Sequence, residues 1–372
     1  MKKIIISGGH LTPALALIDY LKENKIDSEI IFLGRLYSQE LDKQESQEKK
    51  EVEKRNITFV PYNAPRPSKN IIGKITFLFK LFLAYLNALF LMIKYHPNVF
   101  VSFGGYLAVP IAIAAWSLGI KIVTHEQTVT AGQANKIIGK FAKKIALSHQ
   151  ESAKHFPKEK VVVTGNPIRP DLVNAKPKRP AWAKDLSTNK PTLLITGGNQ
   201  GSYIINTTIS QVLPKIIKSW NVIHACGNPT NKINYHAELN DVKKSLPAGH
   251  RKNYIVREWL TTPELSWVYN VVDGAVSRSG ANTVQELNFA QIPTIFIPLP
   301  FSKENEQLLN AKTITEKGAG ILLEQKNLNA ETLLKEINFV KKHQKSLRRK
   351  LEPLKPSANG AAKLWEIIEK IA

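Results

Sequence analysis

Sulfur and acid are both scarce in this chain. One cysteine, Cys226, and two methionines occur in 372 residues. A lone thiol cannot close an intramolecular disulfide or supply a cysteine-cluster metal site, and it can persist reduced in a cytoplasm. Acidic residues number 30 against 52 lysines and arginines, a formal net charge of +22. Low-complexity tracts are missing, and 43% hydrophobic with 8% aromatic residues supplies enough apolar side chain for full cores, which excludes a disordered chain. The opening lysines are followed by only Ile4, Ile5 and Ile6 before Ser7-Gly8; that is too short an apolar stretch for a signal peptide, so secretion is not expected. Zinc-finger spacing and an RNA-recognition signature are also lacking. The positive excess then has three accounts: nucleic-acid phosphates, an anionic lipid surface at about 1 kcal/mol per basic residue, or a basic surface serving solubility. Composition does not choose among them.

The length suits two domains of roughly 100–200 residues each. Apolar runs of four to eight residues end in glycine-rich turns and give way to helical periods, the pattern of βαβ units on parallel sheets. A first series of strands is predicted over 3–7, 29–33, 57–61, 99–103, 121–125, 142–148 and 160–164. A second covers 192–196, 221–225, 254–257, 274–277, 294–297 and 320–323. The proline-rich stretch 166–190, with Pro167, Pro170, Pro177 and Pro180, reads as a linker. The expected architecture is α/β, with two Rossmann-like doubly wound parallel-sheet domains.

Two segments depart from that pattern. Residues 39–55 are almost wholly polar with Glu-to-Lys helical spacings, which reads as a solvated helix or mobile insertion without chemistry. Residues 75–93 are apolar at 16 of 19 positions, close to the length of a membrane span. Thr76, Lys80, Asn87 and Lys94, however, fall within about 40° of one another on a helical projection. One polar stripe implies an amphipathic helix, part packed on the sheet and part open to a membrane surface, ringed by Arg66, Lys69, Lys74, Lys80 and Lys94. A face wholly in the core and a true span are the competing readings.

The candidate sites lie where predicted strands end. Ser7-Gly8-Gly9-His10 follows the first strand and opens a helix, so backbone amides there could receive an anionic or sugar ligand. The third glycine of a dinucleotide fingerprint is missing, which weakens any nicotinamide reading. His10 suits a general base, since a neutral imidazole accepts a proton near neutral pH; a structural turn histidine fits the same residue. Phe103-Gly104-Gly105-Tyr106 and His125-Glu126-Gln127 end two further strands, where open α/β sheets bind ligands, although buried capping would also account for Glu126 and Gln127. In the second half, Thr196-Gly197-Gly198-Asn199-Gln200-Gly201 is another glycine turn. The run Ser277 to Glu286, holding Arg278, Ser279, Gly280, Ala281, Asn282, Thr283, Val284 and Gln285, reads as a helix start fit for a diphosphate, or as an ordinary cap with Glu286 favouring the dipole. Glu286 could accept from sugar hydroxyls, and Glu306, Gln307 and Asn310 suit neutral hydroxyls better than phosphate.

The ordered set SGGHLTPALA, FGGYLAVP, HEQTVTAGQANK, GNPIR, GGNQGSYIIN, SRSGANTVQEL and EQLLNA resembles the MurG family, glycosyltransferase family 28. The likeness covers nearly the whole chain in order. It implies a GT-B fold with two domains facing a cleft: an acceptor and membrane-facing domain over 1–167, a UDP-GlcNAc-binding domain over 168–345, and a last helix within 346–372 packing back on the first. The implied activity is inverting transfer of GlcNAc from UDP-GlcNAc to the MurNAc C4 hydroxyl of lipid I, giving lipid II, at the cytoplasmic face of the membrane, with no metal or cofactor.

By the same resemblance, Ser7, Gly8 and Gly9 lie near donor diphosphate and acceptor, with Gly104, Gly105, Tyr106, Thr128 and Asn135 as further contacts. Arg169 and Asn199 contact the donor, and Gln200 and Gly201 are further substrate contacts. The backbone of Leu260 faces uracil, 281–286 hold the diphosphate and ribose, and Gln307 binds GlcNAc, with Asn310 a further substrate contact. Departures from the family pattern are the lost leading glycine pair before Ser7, and Thr128, Asn199 and Glu306 in place of the usual asparagine, serine and glutamine. His10 is the first choice of base and Glu126 the second. Anionic membrane and cell-wall synthesis enzymes are the candidate partners, and nucleic acid is not. A related glycolipid transferase with a diacylglycerol acceptor, a UDP-GlcNAc epimerase and a nonenzymatic basic binding protein are the alternatives.

Overall fold

A computed structural model describes residues 1–39, 42–66, 71–169, 172, 177–198, 201–228 and 233–372, with backbone alone at 38–39, 42–44 and 71–74. The chain forms two compact units, Met1–Pro170 with Ser357–Ala372, and Asp171–Pro356.

In the first unit the strands are β1 (Lys2–Ser7), β2 (Ser28–Gly34), β3 (Tyr37–Gln39), β4 (Asp42–Glu45), β5 (Thr58–Pro61), β6 (Val99–Ser102), β7 (Lys121–Glu126), β8 (Lys144–Leu147) and β9 (Val161–Val163). Seven of them make a parallel sheet in the order β5-β2-β1-β6-β7-β8-β9, while β3 and β4 pair antiparallel apart from it. Ile4, Ile5 and Ile6 are all fully buried, as a β-branched run must be when helices cover both sheet faces. Ile4 and Ile6 meet Leu15, Ile18, Leu364, Trp365 and Ile368. Ile5 points the other way, into a cluster with Leu91, Met92, Ile111 and Ile138. The helices Leu11–Glu23 and Gly360–Ile371 therefore cover one face, and Ile71–Tyr95, Ala108–Ser117 and Gln133–Phe141 the other.

The second unit holds β10 (Thr192–Thr196), β11 (Asn221–Ala225), β12 (Tyr254–Arg257), β13 (Gly274–Ser277), β14 (Thr294–Phe296) and β15 (Ile321–Leu322), parallel in the order β12-β11-β10-β13-β14-β15. Leu193 and Ile195 pack on Ile205, Ile209, Ile337 and Val340, and Leu194 on Val268, Val284 and Leu287. In each sheet the strand order reverses beside the unit's first strand, between β1 and β6 and between β10 and β13. Those reversals are where doubly wound sheets open a crevice at their carboxyl edge.

Three expectations need correction. The polar segment 39–55 is not simply solvated: it contributes β3, β4 and the helix Gln47–Glu53, whose Val52 is fully buried. Two of its acids are buried because cations meet them, Glu48 by Arg35 at 3.0 Å and Glu51 by Arg55 at 2.9 Å. The stretch called a linker packs on the second unit, where Ala183 and Leu186 join the core and the Trp182 indole donates to Glu264 at 2.6 Å. The boundary at 345 is passed because the helix Ala330–Leu351 runs through it unbroken.

The helix Ile71–Tyr95 buries Ala84, Ala88, Leu91 and Met92 but leaves Ile75, Leu78, Phe79, Phe82, Leu83, Leu86, Phe90 and Ile93 between 42% and 67% exposed. A wholly core face is therefore ruled out. Projected at about 100° per residue, the exposed apolar arc and the buried arc lie on opposite sides, with Thr76, Lys80, Asn87 and Lys94 between them on one flank. Lys69 lies outside the described residues, as does the side chain of Lys74.

Candidate functional site

In the first unit two glycine turns interlock at the β1/β6 reversal. Gly8 has φ +154°, and a Cβ there would stand 2.7 Å from the Phe103 carbonyl carbon. The Gly9 N–H donates to Gly104 O at 2.9 Å. Gly104 leans on the Asn135 amide, which a Cβ would approach to 3.0 Å. Local sequence dictates this, because side chains at these positions would occupy the space that the neighbouring turn fills. Ser7, Gly8, Gly9, Gly104, Gly105 and Asn135 thus lie at one locus in the fold.

Glu126, at the end of β7, is 1% exposed. One carboxylate oxygen accepts the Thr128 N–H at 3.0 Å and the Thr128 hydroxyl at 2.7 Å; the other accepts the Gly132 N–H at 2.8 Å and the Asn135 amide at 2.9 Å. Asn135 also donates to His125 O and accepts from the Thr124 hydroxyl. A buried carboxylate with four donors is an organiser of its loop. Glu126 is therefore a poor second choice for the base, and Thr128 and Asn135 are spent on holding it.

His10 occupies the N-cap position of the helix Leu11–Glu23 but makes no side-chain cap. Burial lowers its pKa below 6.5, and the nearby Glu126 charge opposes that in part. A ring kept neutral, with no hydrogen-bond partner among the described residues, meets the requirement for a proton acceptor. His125 is fully buried, packs on Phe103 and holds Gly165 O at 3.2 Å, with its pKa pushed down to about 4 by desolvation. His149, which the sequence reading passed over, follows β8 and is held below its ordinary pKa by burial against the pull of Glu151 and Glu126. Its place just beyond a strand's carboxyl end was the available signal.

Arg35 was also missed, although it directly follows β2 at the same edge. Its guanidinium pairs with Glu48, and the Tyr106 phenol also favours its charge. Arg66, expected beside the apolar helix, stands over the Tyr106 ring at 5.3 Å. Arg169 is buried at the end of the first unit's chain segment.

The second unit repeats the glycine turn after β10. Gly198 and Gly201 take φ +82° and +72°, and the Gly201 N–H donates to Gly198 O at 3.0 Å. Asn199 and Gln200 lie outside the described residues. After β13, Gly280 begins the helix Ala281–Phe289 without a side-chain cap, so the positive end of the dipole faces outward at the sheet reversal. Arg278 is buried beneath it. Its guanidinium donates to Ile297 O at 3.1 Å, Pro298 O at 3.2 Å, the Ser202 hydroxyl at 2.8 Å and the Gln325 side chain at 2.8 Å. No carboxylate pairs with it among the described residues, and burial lowers its pKa. Rather than reaching for ligand, Arg278 braces three segments, at 202, 297–298 and 325, and leaves its charge under the helix start.

The remaining expected residues divide. Ser279 donates its hydroxyl to Gln307 O at 2.7 Å, the Asn310 amide reaches Ser279 O at 3.3 Å, and Gln307 Oε1 accepts the Leu299 N–H at 3.0 Å. These contacts bring Ser279, Gln307 and Asn310 together beside Gly280. Just before them, Glu304 and Asn305 both sit in the left-handed region, φ 52° and 55°, a strained approach of a kind concentrated at functional sites. Glu286 is buried and accepts from the Tyr269 phenol at 3.1 Å. Val284 and Leu260 have core side chains, so either could offer a ligand only its backbone. Ala281, Asn282, Thr283 and Gln285 lie on the first turns of the same helix.

Comparison with known proteins places the chain in a family. Residues 5–147 match the glycosyltransferase family 28 N-terminal domain and residues 192–365 the C-terminal domain. The whole chain is 30% identical to the UDP-N-acetylglucosamine--N-acetylmuramyl-(pentapeptide) pyrophosphoryl-undecaprenol N-acetylglucosamine transferase 2 of Bacillus cereus, covering 99% of it. It is 32% identical to the corresponding transferase of Clostridium perfringens, covering 98% of that protein. Among solved structures, MurG of Acinetobacter baumannii superposes with a TM-score of 0.72 at 24% identity over all of both chains, a likeness of fold. Two domains matched in order, with full-length relatives at this identity, settle the matter: the chain belongs to glycosyltransferase family 28.

Proposed function

We propose that this chain transfers N-acetylglucosamine from UDP-N-acetylglucosamine to the MurNAc C4 hydroxyl of lipid I, with inversion at the anomeric carbon. One observation carries the reading: each unit ends its first strand on a glycine turn at its sheet's reversal, one beside a neutral histidine and the other beside an uncapped helix start over a buried arginine. The full-length relatives, named for an N-acetylmuramyl pyrophosphoryl-undecaprenol acceptor, favour this over a diacylglycerol acceptor. The first unit holds the acceptor and the second the donor.

The acceptor oxygen attacks the anomeric carbon while His10 takes its proton. The bond from that carbon to the UDP β-phosphate oxygen breaks, and the electron pair leaves with UDP. Backbone N–H groups of 281–283, with the Arg278 charge behind them, stabilise the departing diphosphate. Gln307 and Asn310 orient the sugar.

The apolar arc of the helix Ile71–Tyr95, with Lys80 and Lys94 on its flank, supports peripheral attachment to an anionic bilayer at the cytoplasmic face. Incubation with labelled UDP-N-acetylglucosamine and lipid I tests the transfer reading. A labelled lipid-linked disaccharide of inverted configuration is expected. Free epimerised donor, or label only in a diacylglycerol product, would sink it.

A further inference from the structure

The carboxyl edge of the first unit carries two guanidinium groups that the steps above leave unused. Arg35 follows β2, the neighbour of β1 in the sheet. Its backbone N–H and its guanidinium both bond the Glu48 carboxylate at 3.0 Å, so its charge is matched and its position fixed. Arg66 lies beyond β5, on the far side of β2. Its guanidinium carbon is 5.3 Å from the Tyr106 ring centroid, and no carboxylate pairs with it among the described residues.

Tyr106 joins the two. Its phenol lies against Arg35 and its ring lies under Arg66. It also directly follows Gly105, which touches Gly9 in the interlocked turns. The pair of arginines is thereby tied to the acceptor locus by one residue. Net charge at the cluster is positive by one, because Glu48 answers only Arg35. A guanidinium resting over a ring face can keep N–H donors for an oxyanion, with less conformational freedom to lose than a free side chain.

We infer that Arg66, held over Tyr106 beside the Arg35–Glu48 pair, binds an oxyanion of the acceptor and so helps select it. This rests on the transfer reading for the identity of the acceptor. Such an acceptor offers oxyanions from two sources, its diphosphate and its peptide carboxylates, and both suit a guanidinium.

Equilibrium binding of soluble acceptor analogues to the full-length protein tests the inference without requiring turnover and without vesicles. The first analogue is an N-acetylmuramyl-peptide diphosphate on a short lipid. The second lacks the peptide, and the third replaces the diphosphate with a neutral alkyl glycoside. Arg66→Ala should bind the first about tenfold or more weakly than wild type, with UDP affinity and Tm unchanged. Arg66→Lys should fall between, keeping charge but losing the planar fork. A loss that persists without the peptide assigns the diphosphate; one that persists without the diphosphate assigns a carboxylate. Equal affinities of wild type and Arg66→Ala for all three analogues overturn the inference. Wild type that binds the first analogue but never glycosylates it would overturn the transfer reading and leave the affinity comparison standing.

Discussion

A Cβ on Gly105 would lie 2.7 Å from the amide nitrogen of Gly9, so the turn after β6 closes against the turn after β1 with no room for a side chain. Gly105 also has φ +80°, which adds backbone strain to the clash. Gly105→Ala should destabilise the protein by about 2–4 kcal/mol and raise the acceptor KM. Gly119, at φ +71° with nothing within 4 Å of its virtual Cβ, isolates the backbone part: Gly119→Ala should cost only about 1 kcal/mol and leave KM alone. Denaturant melts of the two variants make the comparison, and equal losses would refute the role of contact.

Removing the His10 ring should lower kcat about 10²- to 10⁴-fold, the usual range for a general base, while UDP binding stays intact. Because burial is the largest influence on this ring and lowers its pKa, the neutral form that accepts a proton predominates above pH 6.5. The acid limb of kcat/KM should accordingly fall below pH 6.5 in wild type and be lost in His10→Gln. An acid limb unchanged in the variant would assign it to another group.

Arg278→Gln is expected to affect both stability and the donor. Up to four protein oxygens lose their donor, which should cost about 1–3 kcal/mol, and UDP affinity should fall about tenfold or more as the charge under the helix start disappears. Calorimetric titration with UDP separates the two effects. Lower Tm with unchanged UDP affinity would leave Arg278 as a brace alone.

The exposed arc of the long helix predicts lipid binding by area and by charge. Replacing Phe79, Phe82 and Phe90 together with serine removes side chains that each contribute about 1.5–3 kcal/mol when fully buried. Binding to anionic vesicles should drop at least tenfold, with UDP affinity untouched. Lys80→Glu with Lys94→Glu should weaken binding less, and mainly at low salt. Vesicle binding unaffected by both sets would return the +22 charge to solubility.

The strands and their glycine turns were legible because period and punctuation are local. Ile4 to Ile6 can only be a buried strand once a glycine pair follows, and the same holds for 192–196. The segment 39–55 was not legible, since a run of Glu and Lys looks solvated until one knows that Arg35 and Arg55 stand opposite Glu48 and Glu51. Glu126 misled for a similar reason: its four donors come from 128, 132 and 135, and a carboxylate at a strand end looks the same whether it faces substrate or its own loop. Arg278 was placed at the correct turn but given a ligand's role, because sequence cannot show that Ile297, Pro298, Ser202 and Gln325 converge on it.

The helix Gly360–Ile371 fills the first unit's core with Leu364, Trp365 and Ile368, although the whole second unit lies between them in the chain. During synthesis the N-terminal sheet therefore emerges with one face incompletely covered and must wait for the last helix. The second unit has its own strands in continuous sequence and can close first. A chain halted ahead of Gly360 would lack the side chains that complete this face and would leave apolar surface around Leu15 and Ile18 open to chaperones or to aggregation.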